Sequence, residues 1–297
     1  MIKEFSFAES GTALDFVLIS PHSSQGGTFF DAFPEIFADE AVDAKKSEFL
    51  EYVHLESDFG AFELSLSIAE SLSLLGHKVT CLELDYPRGI VDGGRVLDHC
   101  IREALPGSLL NSLRSRFLLM HQQSLNRLHQ LYQTLNESSG FLLDIHSMAS
   151  FNPVHNMQTI TKPVSFENLS SYCQQFYEAP RSEDNLRLID IISKDEHGNA
   201  IANEYLRKHL CESLARNGFQ LQENIPYWAD SAFMMNYHMM RTQAIAIDIP
   251  KHLLSNSSDP LDFDIKSMKI SDERARHLGK MIATASSHAL GSYRDSL

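Results

Sequence analysis

Four stretches of the chain are almost continuously apolar, and each runs into polar or charged residues: Leu14 to Ser20, Val79 to Leu84, Phe141 to Ile145 and Ala244 to Ile247. Such runs, without strict alternation, suit β-strands covered on both faces. Between them the apolar positions fall at helical spacing. Residues 61 to 75 are densely apolar and stop at Gly76, which predicts a helix ahead of the Val79 strand. Residues 112 to 136 give the clearest helix, with His121, Leu125, Leu128 and Tyr132 on one stripe. Leu186 to Ile192 reads as a strand, about 201 to 216 as a helix stopped by Gly218, and the region of Phe219 to Leu221 as another strand. Ser271 caps a last helix, with Asp272 and Glu273 at its positive end and Gly291 as its expected stop. Gly26 to Phe37 reads as loop and short helix, followed by an acidic, helix-compatible segment through Glu51. Asn152 to Arg181, with three prolines and little periodicity, reads as a long excursion, placed over any site at the sheet edge.

This progression predicts an α/β fold: a mixed, largely parallel central sheet sandwiched by helices, in one domain spanning 1 to 297. The 297 residues suffice for a substantial core. No window approaches the roughly 20 apolar residues needed to span a bilayer. The opening MIKEFSFAES lacks the charged start and apolar core of a signal peptide, so a soluble, cytoplasmic protein is expected. A net charge of -14 argues against a nucleic-acid partner. The four cysteines, Cys81, Cys100, Cys173 and Cys211, are far apart, so neither a disulfide framework nor a zinc ribbon is indicated.

The strand ends carry the chemistry. In open α/β sheets the ligand crevice lies outside the carboxyl ends of the strands. Here those ends lead to His22, to Asp85 and Arg88, to His146, and to Asp248. Two histidines, an arginine and acids at one edge read as a hydrolytic metal site, because a catalytic zinc takes three protein ligands and leaves one position for water. For the third ligand, the segment His54 to Gly60 offers Asp58, with Glu56 as the fallback; on spacing alone Asp58 could equally cap the following helix. Asp144 lies two residues before His146 on a strand, hence on the same side, and can orient it. Either histidine taken alone would be read as a satisfied buried imidazole.

Taken in order, these residues resemble the N-formylglutamate amidohydrolases. The resemblance rests on Pro21-His22-Ser23, Asp58-Phe59-Gly60-Ala61, Arg88 with Asp92 and Arg95, helix-borne His121, Leu143-Asp144-Ile145-His146-Ser147, Asn224-Ile225-Pro226-Tyr227, and a late apolar strand ending in Asp248. It covers about Val17 to Leu253. It implies a fold related to the zinc carboxypeptidases and aspartoacylases, one Zn²⁺, and hydrolysis of the amide of a small N-acyl amino acid. His22, Asp58 and His146 would hold the metal, Asp248 would be the general base, and Arg88, Arg95 and His121 would bind substrate, Arg95 also steadying charge at the reacting carbonyl. Substrate would be partly enclosed by the Asn152 to Arg181 excursion and the Trp228 loop.

The chain departs from the family pattern at three places. Asp248 stands where Glu is usual, shortening the reach of the base by about 1.5 Å. Lys251 stands where Arg is usual, and the Gly-rich stretch after Tyr227 is replaced by Trp228 to Met235. Other readings of the same residues are a zinc carboxypeptidase or amidase acting on a peptide, and a non-catalytic binding protein that retains the pocket. For the arginines, burial in a network with Asp85 or Asp92 is the competing reading; for His121 it is a core residue. A serine hydrolase lacks its G-x-S-x-G elbow.

Overall fold

The computed structural model describes residues 1–7, 13–152, 164–257, 259–262, 264 and 266–297. In chain order the strands are β1 (Ile2–Ser6), β2 (Phe16–Ser20), β3 (Val79–Leu84), β4 (Phe141–Met148), β5 (Ile189–Ile192), β6 (Leu221–Glu223) and β7 (Ala244–Pro250). The helices are α1 (Gly27–Ala32), α2 (Glu35–Ala38), α3 (Glu40–Ala44), α4 (Lys46–Glu56), α5 (Ala61–Leu74), α6 (Gly107–Ser138), α7 (Leu169–Tyr177), α8 (Glu204–Arg216), α9 (Met234–Met239) and α10 (Asp272–Arg294).

The seven strands form one sheet in the order β1-β3-β2-β4-β7-β5-β6. Pairings β3/β2, β2/β4, β4/β7 and β5/β6 are parallel, whereas β1/β3 and β7/β5 are antiparallel. The sheet is therefore mixed and largely parallel, with helices on both faces, as the apolar runs predict. Alternate residues explain why those runs are continuous. Phe16, Leu18, Leu143, Ile145, Ile245 and Ile247 join the core under α5, α8 and α10, while Val17, Ile19, Leu142, Ala244 and Ala246 join the core on the opposite face with α6.

Two departures have local causes. Strand β1 was not anticipated because it is an edge strand with mostly exposed residues, so its sequence carries little apolar signal. Helix α10 continues past Gly291 to Arg294, since glycine stops a helix only where the chain turns into a left-handed conformation, and here it does not. Ser271 does cap α10, accepting from Arg274 N. Helix α6 starts earlier than expected, after Pro106, and ends where Ser139 takes a positive φ of 53°. At Gly140 a Cβ would come within 2.6 Å of the Leu14 carbonyl oxygen, so the return into β4 requires glycine. Of the Asn152 to Arg181 excursion, residues 153 to 163 lie outside the described residues, and the remainder contains α7. Among the described residues no helix is long and apolar enough to cross a membrane.

Candidate metal centre and cavity

The carboxyl ends of β2, β4 and β7 meet the start of α5. Asp58 N donates to the His22 carbonyl at 2.8 Å, Ser147 Oγ donates to the Phe59 carbonyl at 2.8 Å, and Ser20 Oγ bonds both Ala61 and Ser65. These bonds fasten the segment before α5 to both histidine-bearing strands. The α5 N-cap is Gly60 in a left-handed conformation, and no side chain caps the helix. Asp58 is thus not a helix cap, and its carboxylate faces the histidines instead.

Asp58 Oδ2 lies 3.2 Å from His22 Nδ1 and 3.0 Å from His146 Nδ1, and the two rings are 5.0 Å apart. All three residues are buried. The opposite ring nitrogens also meet acids. His22 Nε2 is 2.8 Å from Asp92 Oδ1, and His146 Nε2 is 3.0 Å from Asp144 Oδ1, the latter pair off the line of a good hydrogen bond. Each ring thus lies between two carboxylates, and a cation bound at the Nδ1 atoms would leave an Nε2–H on each ring to face Asp92 and Asp144. The Gly94 N–H, 2.9 Å from His22 Nε2 and 3.1 Å from Asp92 Oδ1, would then donate to the carboxylate. A Cβ at Gly94 would come within 2.4 Å of the His22 ring, so glycine is required here.

The cluster gathers three buried carboxylates. Burial opposes ionisation of Asp58, yet His22 beside it, hydrogen bonds from both histidines and Arg88 hold its carboxyl well below the usual range. Asp92 and Asp144 are buried too, and their imidazole neighbours likewise keep them ionised. Burial works against a charged His146, but Asp144 and Asp58 push its pKa well above the ordinary value. Three buried carboxylates around two imidazoles constitute a seat for a cation. One ligand atom from each of His22, Asp58 and His146 falls within 4.8 Å of the others. Two imidazole nitrogens and a carboxylate oxygen are a donor set that zinc accepts, and all three residues line the cavity.

Asp248 pairs with His146 in the β4/β7 register. It lines the cavity, its Oδ1 has no hydrogen-bond partner among the described residues, and burial, opposed by the His146 charge, pushes its pKa up to about 6. Directly across the β7/β5 pair lies Asp190, which accepts from Ile225 N and which burial pushes up to about 8.

The cavity has a volume of about 680 Å³. Arg88 and Arg95 line it, and both face acids. Arg88 NH1 is 3.4 Å from Asp58 Oδ1, and Arg95 Nε is 3.1 Å from Asp92 Oδ2. Asp92 therefore has two functions: one oxygen orients His22 and the other gathers arginines, including Arg102 at 3.7 Å. Glu56 sits outside the histidine cluster, bonded to Tyr172 and near Arg88 and Arg102. His121 does not line the cavity. Its Nε2 donates to the Arg95 carbonyl at 2.9 Å, and its Nδ1 accepts from Tyr86 Oη at 2.8 Å, so it is a neutral imidazole holding the backbone behind Arg95. Behind Asp144, His238 Nε2 lies 3.7 Å away, and Tyr132 Oη is bonded to its Nδ1.

The sequence reading did not identify Arg102, Arg187, Asp190 or the role of Asp92 in orienting His22. Only Asp92 carried a usable signal, its place between Arg88 and Arg95. The cavity receives Val164, Tyr172, Phe176 and Tyr177 from the long excursion, and Pro226 and Tyr227 from the Trp228 loop, although Trp228 itself is not in the lining.

No protein-family model matches the chain, and no curated protein matches it by sequence. Solved structures do. A crystal structure of a gene product from Agrobacterium tumefaciens superposes with a TM-score of 0.59 at 13% identity, covering 99% of this chain and 96% of that one. A crystal structure of N-formylglutamate amidohydrolase from Ralstonia eutropha superposes with a TM-score of 0.57 at 15% identity, covering 99% of both chains. Over nearly its whole length the chain has the fold of an N-formylglutamate amidohydrolase, the enzyme whose motifs its sequence resembles.

Proposed function

We propose that the protein is a cytoplasmic, zinc-dependent amidohydrolase that cleaves the amide of an N-acyl amino acid. The observation that carries this reading is the convergence of His22 Nδ1, His146 Nδ1 and Asp58 Oδ2 at the edge of a cavity, with Asp248 beside them. The fold shared with an amidohydrolase supports it.

When bound, zinc would polarise the scissile carbonyl and acidify a water molecule. The protein's own residues do the rest. With a metal held at the Nδ1 atoms, Asp92 and Asp144 would face an Nε2–H on each ring and keep both imidazoles in the ligating tautomer. Asp248, ionised near neutral pH and lacking a hydrogen-bond partner on Oδ1 among the described residues, takes the proton of the attacking water and delivers it to the departing amine nitrogen. Arg95 and Arg88, anchored by Asp92 and Asp58, supply fixed positive charge at the cavity wall where negative charge develops on the carbonyl oxygen. The shorter Asp248 would act from the strand next to the one bearing His146, in register with it.

The test is metal content and hydrolysis together. Zinc-loaded protein should release free amino acid from members of an N-acyl amino acid panel, and Asp248→Asn should lose turnover while keeping its zinc. A zinc-loaded wild type that binds acyl amino acids but hydrolyses none would make the protein a binding protein. Cleavage only of longer peptides would make it a carboxypeptidase.

A further inference from the structure

The cations around the cavity are not alike. Arg88, Arg95 and Arg102 face acids within ion-pair distance. Arg187 is 8% exposed, lines the same cavity, and has no carboxylate within ion-pair distance among the described residues. Its Nε donates to Asn152 Oδ1 at 3.0 Å, and its NH1 reaches Tyr227 Oη at 3.4 Å, with the guanidinium carbon 5.8 Å from the Tyr227 ring centre. Its main chain is pinned as well, Arg187 N donating to the Ser150 carbonyl at 2.9 Å. A guanidinium has five N–H donors in a rigid fork. Asparagine and tyrosine engage two of these nitrogens without neutralising the charge, and Asp248 acts on it only from beyond ion-pair distance. Burying such a charge without a counter-ion is costly, and a ligand carboxylate is the partner that would relieve the cost.

The rest of the lining defines what that carboxylate is attached to. Phe151, Val164, Phe176, Phe233, Ile101 and Met235 all face the cavity. At about 680 Å³ the space lies in the range that holds drug-sized ligands. A short polar acyl amino acid would leave this apolar surface wet, whereas a bulky apolar group would dehydrate it.

We propose that Arg187 is the seat of the substrate carboxylate and that the substrate is an N-acyl amino acid with a bulky apolar or aromatic group, rather than a small acidic one such as N-formylglutamate. This rests on the amidohydrolase reading for the reaction but not for the binding. The experiment is calorimetric titration of zinc-loaded protein with N-acetylphenylalanine, its carboxamide and N-formylglutamate, with hydrolysis followed in parallel. Wild type should bind N-acetylphenylalanine at least about tenfold more tightly than N-formylglutamate, and the carboxamide should lose roughly ten- to hundredfold in affinity. Arg187→Gln, with zinc content and melting temperature checked, should bind acid and carboxamide equally. If that variant does not fold, Arg187→Lys should show a reduced acid preference. A wild type that does not distinguish acid from carboxamide, an Arg187→Gln protein that still does, or tighter binding of N-formylglutamate would overturn the proposal. The expected binding pattern without hydrolysis would overturn the amidohydrolase reading and leave the Arg187 seat standing. Hydrolysis with the opposite pattern would do the reverse.

Discussion

Two sets of residues around the cavity use charge in opposite ways. Around His22, Asp58 and His146, each charged group faces an opposite one: Asp92 takes His22 and three arginines, Asp144 takes His146, and Asp58 takes both histidines and Arg88. In the rest of the lining, Arg187 and Lys251 have no carboxylate within ion-pair distance among the described residues, and Asp248 Oδ1, beside His146, has no hydrogen-bond partner among them. Lys251 donates to the Leu55 carbonyl, and burial brings its pKa down to about 8. The difference teaches how to tell a residue that builds a site from one that serves a ligand. Matched buried charges fix geometry, while unmatched ones carry an energetic cost that a ligand or a proton transfer relieves.

Breaking the matched set should have the largest effect. Asp58→Asn leaves the two imidazoles without their shared anion, so the protein should lose stoichiometric zinc and all zinc-dependent turnover, as measured by metal analysis after gel filtration. Zinc retention in that variant would remove Asp58 from the cluster's function.

In the unmatched set, Asp248→Asn should reduce kcat by roughly 10²- to 10⁴-fold, the usual contribution of a positioned base. Zinc content should stay unchanged, because Asp248 is not in the triad. Zinc loss instead would make it a ligand and dissolve the contrast.

A smaller effect is expected at the acid behind His22, which would not touch the metal itself. Asp92→Asn weakens the bond that fixes the His22 tautomer and should reduce zinc affinity by roughly 10- to 100-fold in a chelator competition assay. His121→Gln, which touches only the Arg95 backbone from behind, should leave zinc affinity unchanged.

The smallest effect is on stability and depends on pH. Asp190 is an acid whose folded pKa, about 8, is raised above its unfolded value of 3.8. The unfolded chain releases this proton first, so the cost to folding is absent below about pH 4, grows as pH rises, and levels off above about pH 8. Asp190→Asn should therefore gain melting temperature over wild type increasingly between these limits. A difference independent of pH would mean that Asp190 is ionised throughout.

Much of this was legible in the sequence because a buried parallel strand announces itself and its carboxyl end leads to the crevice. His22, His146 and Asp248 were readable on that ground alone, and Asp144 followed from the two-residue repeat. Asp58 was legible as a candidate but not as a choice over helix capping; only the left-handed Gly60 cap settles that. Arg187 was not legible. It precedes β5 by two residues in a segment without motif, and its importance lies in which acids it fails to meet, a property of the folded molecule. His121 misled because a helix stripe shows that a residue is buried but not which side of a neighbouring loop it supports.

The most direct test of the central claim is an anomalous-scattering map of zinc-loaded crystals. The expected result is a single zinc at about 2.0 to 2.2 Å from His22 Nδ1, His146 Nδ1 and an Asp58 oxygen, with Asp92 and Asp144 still on the Nε2 atoms. Zinc bound through the Nε2 atoms, at another cluster, or nowhere would contradict it.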